Sequence, residues 1–244
     1  MIQFNEIYLI LLTILRADIS MNEPLNLSDH ARTEIERMID DGTLLPGDSI
    51  EERSIAAKFS MSRTPVREAI QQLQVQGLVE IVPRQGIYVA RMSIKSLLGM
   101  FELLAEMESV CAKFAARRIS HSEIPELLSA LNDCKLAYEN DDVEAYDAAN
   151  NKFHALIYAA SKNRYVVEQV KLLRRRTQAY RRHAFLQRGR MKISFLDHER
   201  ITNAICAGDS LTAASEMLAH ISVGGQSFSE FVSQVPEELL EPAR

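Results

Sequence analysis

The amino-acid sequence predicts a mostly α-helical fold with one short β-hairpin, divided between a small N-terminal domain and a larger helical bundle. Apolar residues recur at helical spacing along most of the chain, whereas strand-like alternation is confined to residues 78–82 and 87–89. Nine glycines and seven prolines among 244 residues are few enough to suit long helices. A chain of this length, with 47% apolar residues, is expected to form two domains with buried cores.

The first domain is expected to begin with two helices. Ser28 is the predicted N-cap of a helix that continues through Ile39 and ends before Gly42. A short second helix is predicted over residues 51–59, followed by the tight connection at residues 60–61. The next helix is therefore expected to meet this one directly.

A third helix is predicted from residue 62, with two chemically different faces. Ser62 is a good N-cap, and Pro65 lies in the first turn, where its missing N–H costs little. The apolar face, expected to be buried, is Val66, Ala69, Ile70 and Leu73. The side chains that can donate to phosphates and base edges are Arg63, Thr64, Arg67, Gln71 and Gln74.

Beyond Gly77, two β-rich segments flank a turn at residues 83–86, and Arg84 makes its tip basic. Helix, turn, helix and hairpin in this order predict a winged helix-turn-helix, with the third helix in the major groove and the tip near the neighbouring backbone or minor groove. The plainer alternative is a small helix–hairpin domain that happens to carry arginines.

The charge distribution favours a focused contact with nucleic acid. The formal net charge of −5 argues against binding by bulk electrostatics. Residues 58–91 nevertheless contain five basic and two acidic side chains. Such a local patch suits site-specific contact by a dimer better than indiscriminate coating of DNA.

These segments resemble the GntR family of bacterial transcriptional regulators, without a gap from about Ser28 to Arg91. The likeness rests on Gly-Thr-Leu-Leu-Pro-Gly at 42–47, Ser-Arg-Thr-Pro-Val-Arg-Glu-Ala at 62–69 and Pro-Arg-Gln-Gly at 83–86. The resemblance implies DNA contacts at Arg53, Ser62, Arg63, Thr64, Pro65, Arg67, Gln85 and Gly86. The exposed helix face adds Gln71, and the basic tip adds Arg84. Pro65 offers no donor and is expected to make only a packing contact.

A DNA-binding domain at residues 22–92 is expected to join an all-helical effector-binding and dimerisation domain at residues 93–244. Helical periodicity predicts helices at 94–119, 122–140, 142–161, 164–187, 191–207 and 209–232. Ser122 and Asp209 are expected to cap helices, and Gly189 and Gly208 to end them. The absence of strand patterns and of a phosphate-binding glycine loop favours a bundle.

Three of the six histidines are predicted to face inward from three different helices. His154 lies four residues after Asn150 on one helical edge, and His198 and His220 each lie on an apolar stripe. A single buried histidine is more often a hydrogen-bonded core residue than a ligand. Three converging imidazoles would instead suit a divalent transition metal.

Residues 94–230 are similar to the FCD effector domain of FadR-like GntR regulators, through the segments 150–163 and 198–220. This resemblance implies that Asn150, His154, His198 and His220 hold a metal, often zinc or nickel, whose coordination a small organic acid completes. Two positions depart from the family pattern. Asn150 replaces a common aspartate, which leaves more positive charge on the metal, and Leu104 stands where an arginine often grips the effector.

Residues 171–192 carry a run of basic side chains without an acid between them. A solvated helix face is the plainer interpretation of such a run. The sharper hypothesis is that one or two of its members replace the missing arginine, with Arg176 and Tyr180 as the candidates for lining the effector cavity. Contact with flanking DNA is a third, less favoured interpretation.

Two classes of function compete. The favoured one is a homodimeric repressor or activator that binds a double-stranded operator and responds to a small organic acid. The alternative is a metal-dependent hydrolase with Glu199 as general base. The sequence shows neither a nucleophile pattern nor an acid placed to support a catalytic metal, and a hydrolase would leave the winged helix unexplained. A DNA-binding protein without an effector, in which the histidines are purely structural, is a further alternative.

Residues 1–21 form an apolar extension of uncertain role. Residues 7–15 are too short to span a bilayer, and neither preceding basic residues nor a cleavage site indicates a signal peptide. Cys111, Cys134 and Cys206 show no CxxC spacing, which favours a reducing compartment over a disulfide framework. The protein is therefore expected in the cytoplasm, without contact with a membrane.

Overall fold

The computed structural model describes residues 26–184, 189–222, 232–233 and 235–241. In this part of the chain the helices are α1 (Leu27–Asp40), α2 (Glu52–Lys58), α3 (Arg63–Val75), α4 (Ile94–Arg118), α5 (Ile124–Glu139), α6 (Val143–Ala160), α7 (Arg164–Ala184), α8 (Arg190–Cys206) and α9 (Ser210–Ile221). The strands are β1 (Val79–Val82) and β2 (Gly86–Val89), and a 3₁₀ turn covers Glu237–Leu239. The predicted extension at residues 1–21 lies outside the described residues.

The N-terminal domain is a winged helix-turn-helix. α1 packs against α3, and the apolar face predicted for α3 is the one that is buried, with Val66 and Leu73 inaccessible to solvent. The two strands pair antiparallel, with Val79 opposite Val89. Ile35 of α1 completes the same core, which fixes the opposite face of α3 toward solvent.

Two predicted caps of this domain differ in detail from the structure. The N-cap of α1 is Asn26, whose side chain accepts a hydrogen bond from the backbone N–H of Ser28 at 3.2 Å. Asparagine caps as well as serine does, so the helix begins two residues earlier than predicted and Ser28 lies in its first turn. Ser62 occupies the N-cap position of α3, but its hydroxyl makes no capping hydrogen bond.

The C-terminal domain is an all-helical bundle in its described residues, as predicted. α4 is its central helix and contacts α6, α7, α8 and α9, while α5 packs against α6 and α8. The core contains buried side chains from five helices, α4, α5, α6, α8 and α9, and Tyr146, Phe153 and Ile201 are among those that are fully buried. No helix in the described part of the chain is both long enough and apolar enough to cross a bilayer.

The helices of the bundle follow the predicted order, with some ends displaced. Asp209 caps α9 as predicted, because its side chain accepts a hydrogen bond from the backbone N–H of Thr212 at 3.0 Å. Ser122 is not the N-cap of α5, because Glu123 occupies that position. The Ser122 hydroxyl instead forms a hydrogen bond with the Ser120 hydroxyl in the preceding turn.

Of the two glycines predicted to end helices, one does so and the other does not, and the last helix ends earlier than predicted. Gly208 follows α8 with a φ of 71°, as expected for a helix stop. Gly189 instead precedes α8 as its N-cap residue, with a left-handed φ of 80° that a glycine adopts without strain. α9 ends at Ile221, well before the predicted residue 232, because Ser222 is already extended at ψ 122°.

α7 lies between the bundle and the N-terminal domain. Leu172 packs against the core of the winged helix. Tyr180 is buried, and its hydroxyl accepts from the backbone N–H of Met92 at 3.1 Å and donates to the carbonyl of Leu239 at 3.0 Å. This one helix therefore contacts the core of each domain and the connection between them.

Candidate DNA-binding surface and metal centre

The outer face of α3 and the hairpin tip are open to solvent. Among the residues predicted to contact DNA, the exposed ones are Arg53, Ser62, Arg63, Thr64, Arg67, Gln71, Arg84, Gln85 and Gly86. Pro65 is half-buried, and its packing contact with DNA stays a prediction. Because the opposite face of α3 packs into the domain core, the exposed side chains of α3 are held on a rigid support.

Sequence reasoning missed Glu52, which pairs with both arginines of this face. Arg63 Nη2 donates to Glu52 Oε2 at 2.8 Å, and Arg67 Nε donates to both carboxylate oxygens at 2.9 Å. Hydrogen bonds from Arg67 and then Arg63 lower the pKa of the Glu52 carboxyl. The adjacent acid Glu51 has the same chemistry, so composition gave no reason to single out Glu52.

The hairpin tip is a tight turn fixed by its own backbone. Arg84 has a φ of 65° and Gly86 a φ of 143°, a region that strongly favours glycine. The hydroxyl of Tyr88 donates to the carbonyl of Gln85 at 3.1 Å. The exposed side chains of Arg84 and Gln85 are thus carried by a defined turn.

Three buried histidines from three helices meet inside the bundle: His154 on α6, His198 on α8 and His220 on α9. His220 Nε2 lies 3.2 Å from His198 Nε2 and 3.4 Å from His154 Nε2. Phe153 stacks on the His198 ring with a centroid separation of 4.2 Å. The structure therefore brings together the three imidazoles that the sequence placed on separate helices.

Carboxylates stand behind two of these imidazoles. His154 Nδ1 lies 2.8 Å from Glu108 Oε2, and His220 Nδ1 lies 3.1 Å from Asp197 Oδ2. Each contact favours the ring proton on Nδ1, which leaves the Nε2 lone pair facing the other rings. Burial lowers the pKa of His154 to about 3 and holds the pKa of His198 well below its usual range, so the rings are neutral near pH 7.

This donor set fits a divalent transition metal. Tetrahedral zinc, with nitrogen ligands at about 2.0–2.1 Å, places two of those nitrogens about 3.3–3.4 Å apart. The Nε2 separations of 3.2 Å and 3.4 Å about His220 match that spacing. Without a cation, the lone pairs of His154 and His220 would face each other across a buried site at a cost in free energy.

Asn150 lies one turn before His154 on α6 and is 1% exposed. Its Nδ2 has no hydrogen-bond partner among the residues that the structure describes. A buried amide donor without a hydrogen-bond partner costs free energy. The Asn150 amide oxygen as a metal ligand stays a prediction.

Glu108 and Arg174 are site residues that sequence reasoning did not identify. Glu108 is fully buried on α4, and Arg174 Nη1 donates to its Oε1 at 2.8 Å while Oε2 contacts His154. Burial opposes ionisation of Glu108, but the charge of Arg174 and the hydrogen bond from His154 hold the pKa of Glu108 well below its usual range. The available signal was an acid within the apolar stripe of α4, between Leu104 and Cys111.

Arg176 and Tyr180, the predicted effector contacts, lie at the junction between the two domains. Tyr180 is hydrogen bonded across that junction, and the Arg176 guanidinium packs beside Gly77 of the N-terminal domain, 3.1 Å from the position a Cβ would take there. Arg174, from the same basic run, reaches the surroundings of the imidazoles.

The basic run is not the solvated face that its composition favoured. Arg174 is buried, and Arg175 pairs across the domain junction with Glu36 at 2.9 Å and with Asp40 at 3.0 Å. Arg188 lies outside the described residues. Successive arginines of α7 therefore face different domains.

Comparison with known proteins identifies both domains. Residues 27–89 match the family described as bacterial regulatory proteins, gntR family, and residues 99–223 match the FCD domain. The FCD match alone covers more than half of the chain. The fold and these matches define a helix-turn-helix transcriptional regulator. The chain belongs to the GntR family, in the group that carries an FCD domain.

Related proteins support this class. The chain is 29% identical over 209 residues to the HTH-type transcriptional regulator LutR of Bacillus subtilis, covering 76% of this chain and 93% of that protein. It is 25% identical over 195 residues to the HTH-type transcriptional repressor RspR of Escherichia coli, covering 80% and 84% of the two chains. The protein is accordingly a DNA-binding regulator and not an enzyme. The hydrolase alternative is therefore not supported.

Solved structures share the fold. Escherichia coli McbR/YncC superposes with a TM-score of 0.74 at 20% identity, covering 86% of this chain and 99% of that one. A putative GntR regulator from Rhodococcus sp. RHA1 gives a TM-score of 0.67 at 18% identity, with the same coverage. These similarities confirm the predicted fold class of a winged helix-turn-helix followed by an all-helical domain.

Proposed function

We propose that this regulator is a cytoplasmic homodimeric repressor whose affinity for its operator is controlled by a small organic acid bound at a metal centre. His154, His198 and His220 would hold a divalent transition metal, zinc or nickel, with Asn150 as a further ligand. The convergence of three Nε2 atoms at 3.2 Å and 3.4 Å is the observation that carries this proposal. The exposed side chains of α2, α3 and the hairpin tip would contact a double-stranded operator.

The chemistry of the site favours an anionic effector. A bound divalent metal supplies a positive centre that takes an oxygen ligand. Asn150 contributes no charge to offset it. Glu108 and Asp197, placed behind His154 and His220, would orient the rings and increase their basicity rather than fill coordination positions.

Arg181 is the side chain that we expect to bind the effector's carboxylate. It lies half-buried on α7, and its Nη1 is 3.5 Å from Gln178 Oε1. Burial, and then the charge of Arg174, lower the pKa of Arg181 to about 10. Its positive charge is thus held at a cost that a neighbouring anion would relieve. Leu104 is fully buried among apolar side chains and cannot provide this charge.

α7 offers a direct route from this centre to the DNA-binding domain. Arg174 contacts Glu108 beside the imidazoles, and the next residue, Arg175, pairs with Glu36 and Asp40 of α1. Because both arginines belong to one helix, a movement that the effector imposes on Arg174 also displaces Arg175. The effector would then alter the position of the recognition helix relative to the bundle.

Metal analysis combined with a thermal-shift screen tests this function. Purified wild-type protein is expected to contain about one divalent ion per chain. The His154→Ala, His220→Ala variant should lose it, whereas the matched variant His121→Ala, which alters an exposed histidine, should keep it. Organic acids that bind should raise the melting temperature of wild type and not of the double variant. Unchanged metal content in the double variant would rule the site out.

A further inference from the structure

A single acid organises the two arginines at the start of α3. The Glu52 side chain, in the first turn of α2, is 17% exposed, whereas those of Arg63 and Arg67 are 46% and 58% exposed. The carboxylate is therefore anchored against the protein, and both guanidinium groups extend from it into solvent. The anion also lies at a helix N-terminus, where negative charge is favoured.

The two arginines use different atoms in this pairing. Arg67 donates to Glu52 through Nε, and its Nη1 and Nη2 make no hydrogen bond to any residue that the structure describes. Those two nitrogens form the terminal fork that matches O6 and N7 of guanine in the major groove. Arg63 donates through Nη2, so one nitrogen of its own fork is already engaged.

We propose that Glu52 is a positioning residue for base reading: it aims the free fork of Arg67 at guanine and leaves Arg63 to contact a backbone phosphate. This role rests on the proposed contact between α3 and DNA, but it does not depend on the metal centre. It assigns a function to a residue that makes no DNA contact itself.

Holding Arg67 in this way favours specificity over raw affinity. A free arginine has many rotamers and pairs with any phosphate, and two guanidinium groups side by side repel each other. Glu52 removes much of that freedom before binding, so less is lost when the fork meets a base. Its negative charge also opposes close approach of phosphates, which weakens non-specific binding.

Selection from a random double-stranded DNA library tests the role of Glu52. Wild type should select a guanine in each half-site, preferred over other bases by about tenfold at that position. Glu52→Gln and Glu52→Ala should bind DNA with that preference largely lost and with non-specific affinity equal to or above wild type. Glu51→Gln removes the same charge from the neighbouring residue, whose carboxylate accepts a hydrogen bond from Ser54, and should keep the preference.

Arg67→Ala separates failure of this role from failure of the DNA-binding surface. If Arg67→Ala keeps the guanine preference, α3 does not read DNA as proposed and both inferences fall. If Arg67→Ala loses it while both Glu52 variants keep it, only the role of Glu52 is overturned. The positioning role would also be overturned if removing Glu52 raised specific and non-specific affinity for DNA equally. Glu52 would then act only by repelling the DNA phosphates. Should Glu52→Ala fail to fold, Glu52→Gln, which keeps the side-chain size, decides the matter.

Discussion

Two carboxylates in this protein each bridge two basic side chains, one at the surface and one in the interior. Glu52 joins Arg63 and Arg67 at 2.8–2.9 Å, with both arginines about half exposed. Glu108 joins Arg174 and His154 at 2.8 Å, with all three side chains at most 10% exposed. The contacts have nearly the same length, so the surroundings account for their difference.

Exposure determines what each cluster can do. A surface pair exchanges its partner for water or phosphate at little cost, since such pairs contribute about 0–1 kcal/mol. A buried carboxylate cannot exchange its partner in this way, because breaking the pair leaves an uncompensated charge in the interior. The surface cluster is therefore suited to a contact that forms and breaks with DNA, and the buried cluster to fixing the geometry of a binding site.

The largest expected effect is on the stability of the buried cluster. Glu108→Ala leaves the buried Arg174 guanidinium without its carboxylate partner, with only neutral acceptors at Tyr158 and Asn151, and should lower the free energy of unfolding by about 3–5 kcal/mol. Glu52→Ala should lower it by no more than about 1 kcal/mol. Urea denaturation of the two variants gives this contrast directly. Equal losses would show that exposure does not distinguish the clusters.

Mutation of the surface cluster should change the affinity for DNA and leave stability almost unchanged. Replacing Arg63 and Arg67 together by alanine removes one base contact and one phosphate contact, and should weaken binding to a selected duplex by about 100-fold or more. The free energy of unfolding should stay within about 0.5 kcal/mol of wild type. Fluorescence anisotropy measures the first quantity and urea denaturation the second. Retained sequence-specific binding contradicts the assignment of this face.

Between these extremes lies the pair that joins the domains. The Arg175 side chain is 25% exposed, and Arg175 Nε lies 3.0 Å from Asp40 Oδ2. Arg175→Ala, Asp40→Ala and the double variant should give a coupling energy of about 1 kcal/mol in a double-mutant cycle. A coupling energy near zero would mean that α7 does not hold α1 through this contact.

The smallest effect is expected at Lys152, on the same helix as His154 but exposed. Its Nζ lies 3.1 Å from Asp133 Oδ2, and both side chains are about half exposed. Lys152→Ala should change the free energy of unfolding by less than about 0.5 kcal/mol and leave metal content unchanged. A loss comparable to that of Glu108→Ala would contradict the dependence on burial.

Regular apolar spacing made the elements predictable. On α3, the spacing of Val66, Ala69, Ile70 and Leu73 settles which face is buried, and the exposed residues follow by elimination. The three histidines were predicted to face inward for the same reason. Their meeting at one point depends on the packing of α6, α8 and α9, which periodicity does not encode, so only the family resemblance indicated it.

Pairings between distant helices were not predictable from the sequence. Glu108 and Arg174 are 66 residues apart, and their contact depends on the register of α4 against α7. Within the continuous basic run, each step turns the side chain by about 100°, so the interior-facing member cannot be read from composition. The sequence points to Arg176 and Tyr180 in that run, whereas Arg174 contacts the buried carboxylate.

The control of DNA binding from the buried site is tested most directly by one titration. A selected operator duplex is titrated with metal-loaded protein, with and without the organic acid that most raises the melting temperature. For wild type the acid should weaken binding by tenfold or more, within the usual range of allosteric coupling of about 1–3 kcal/mol. The His154→Ala, His220→Ala variant should bind equally with and without the acid. An unchanged wild-type affinity, or the same weakening in the variant, would contradict control through the histidine centre.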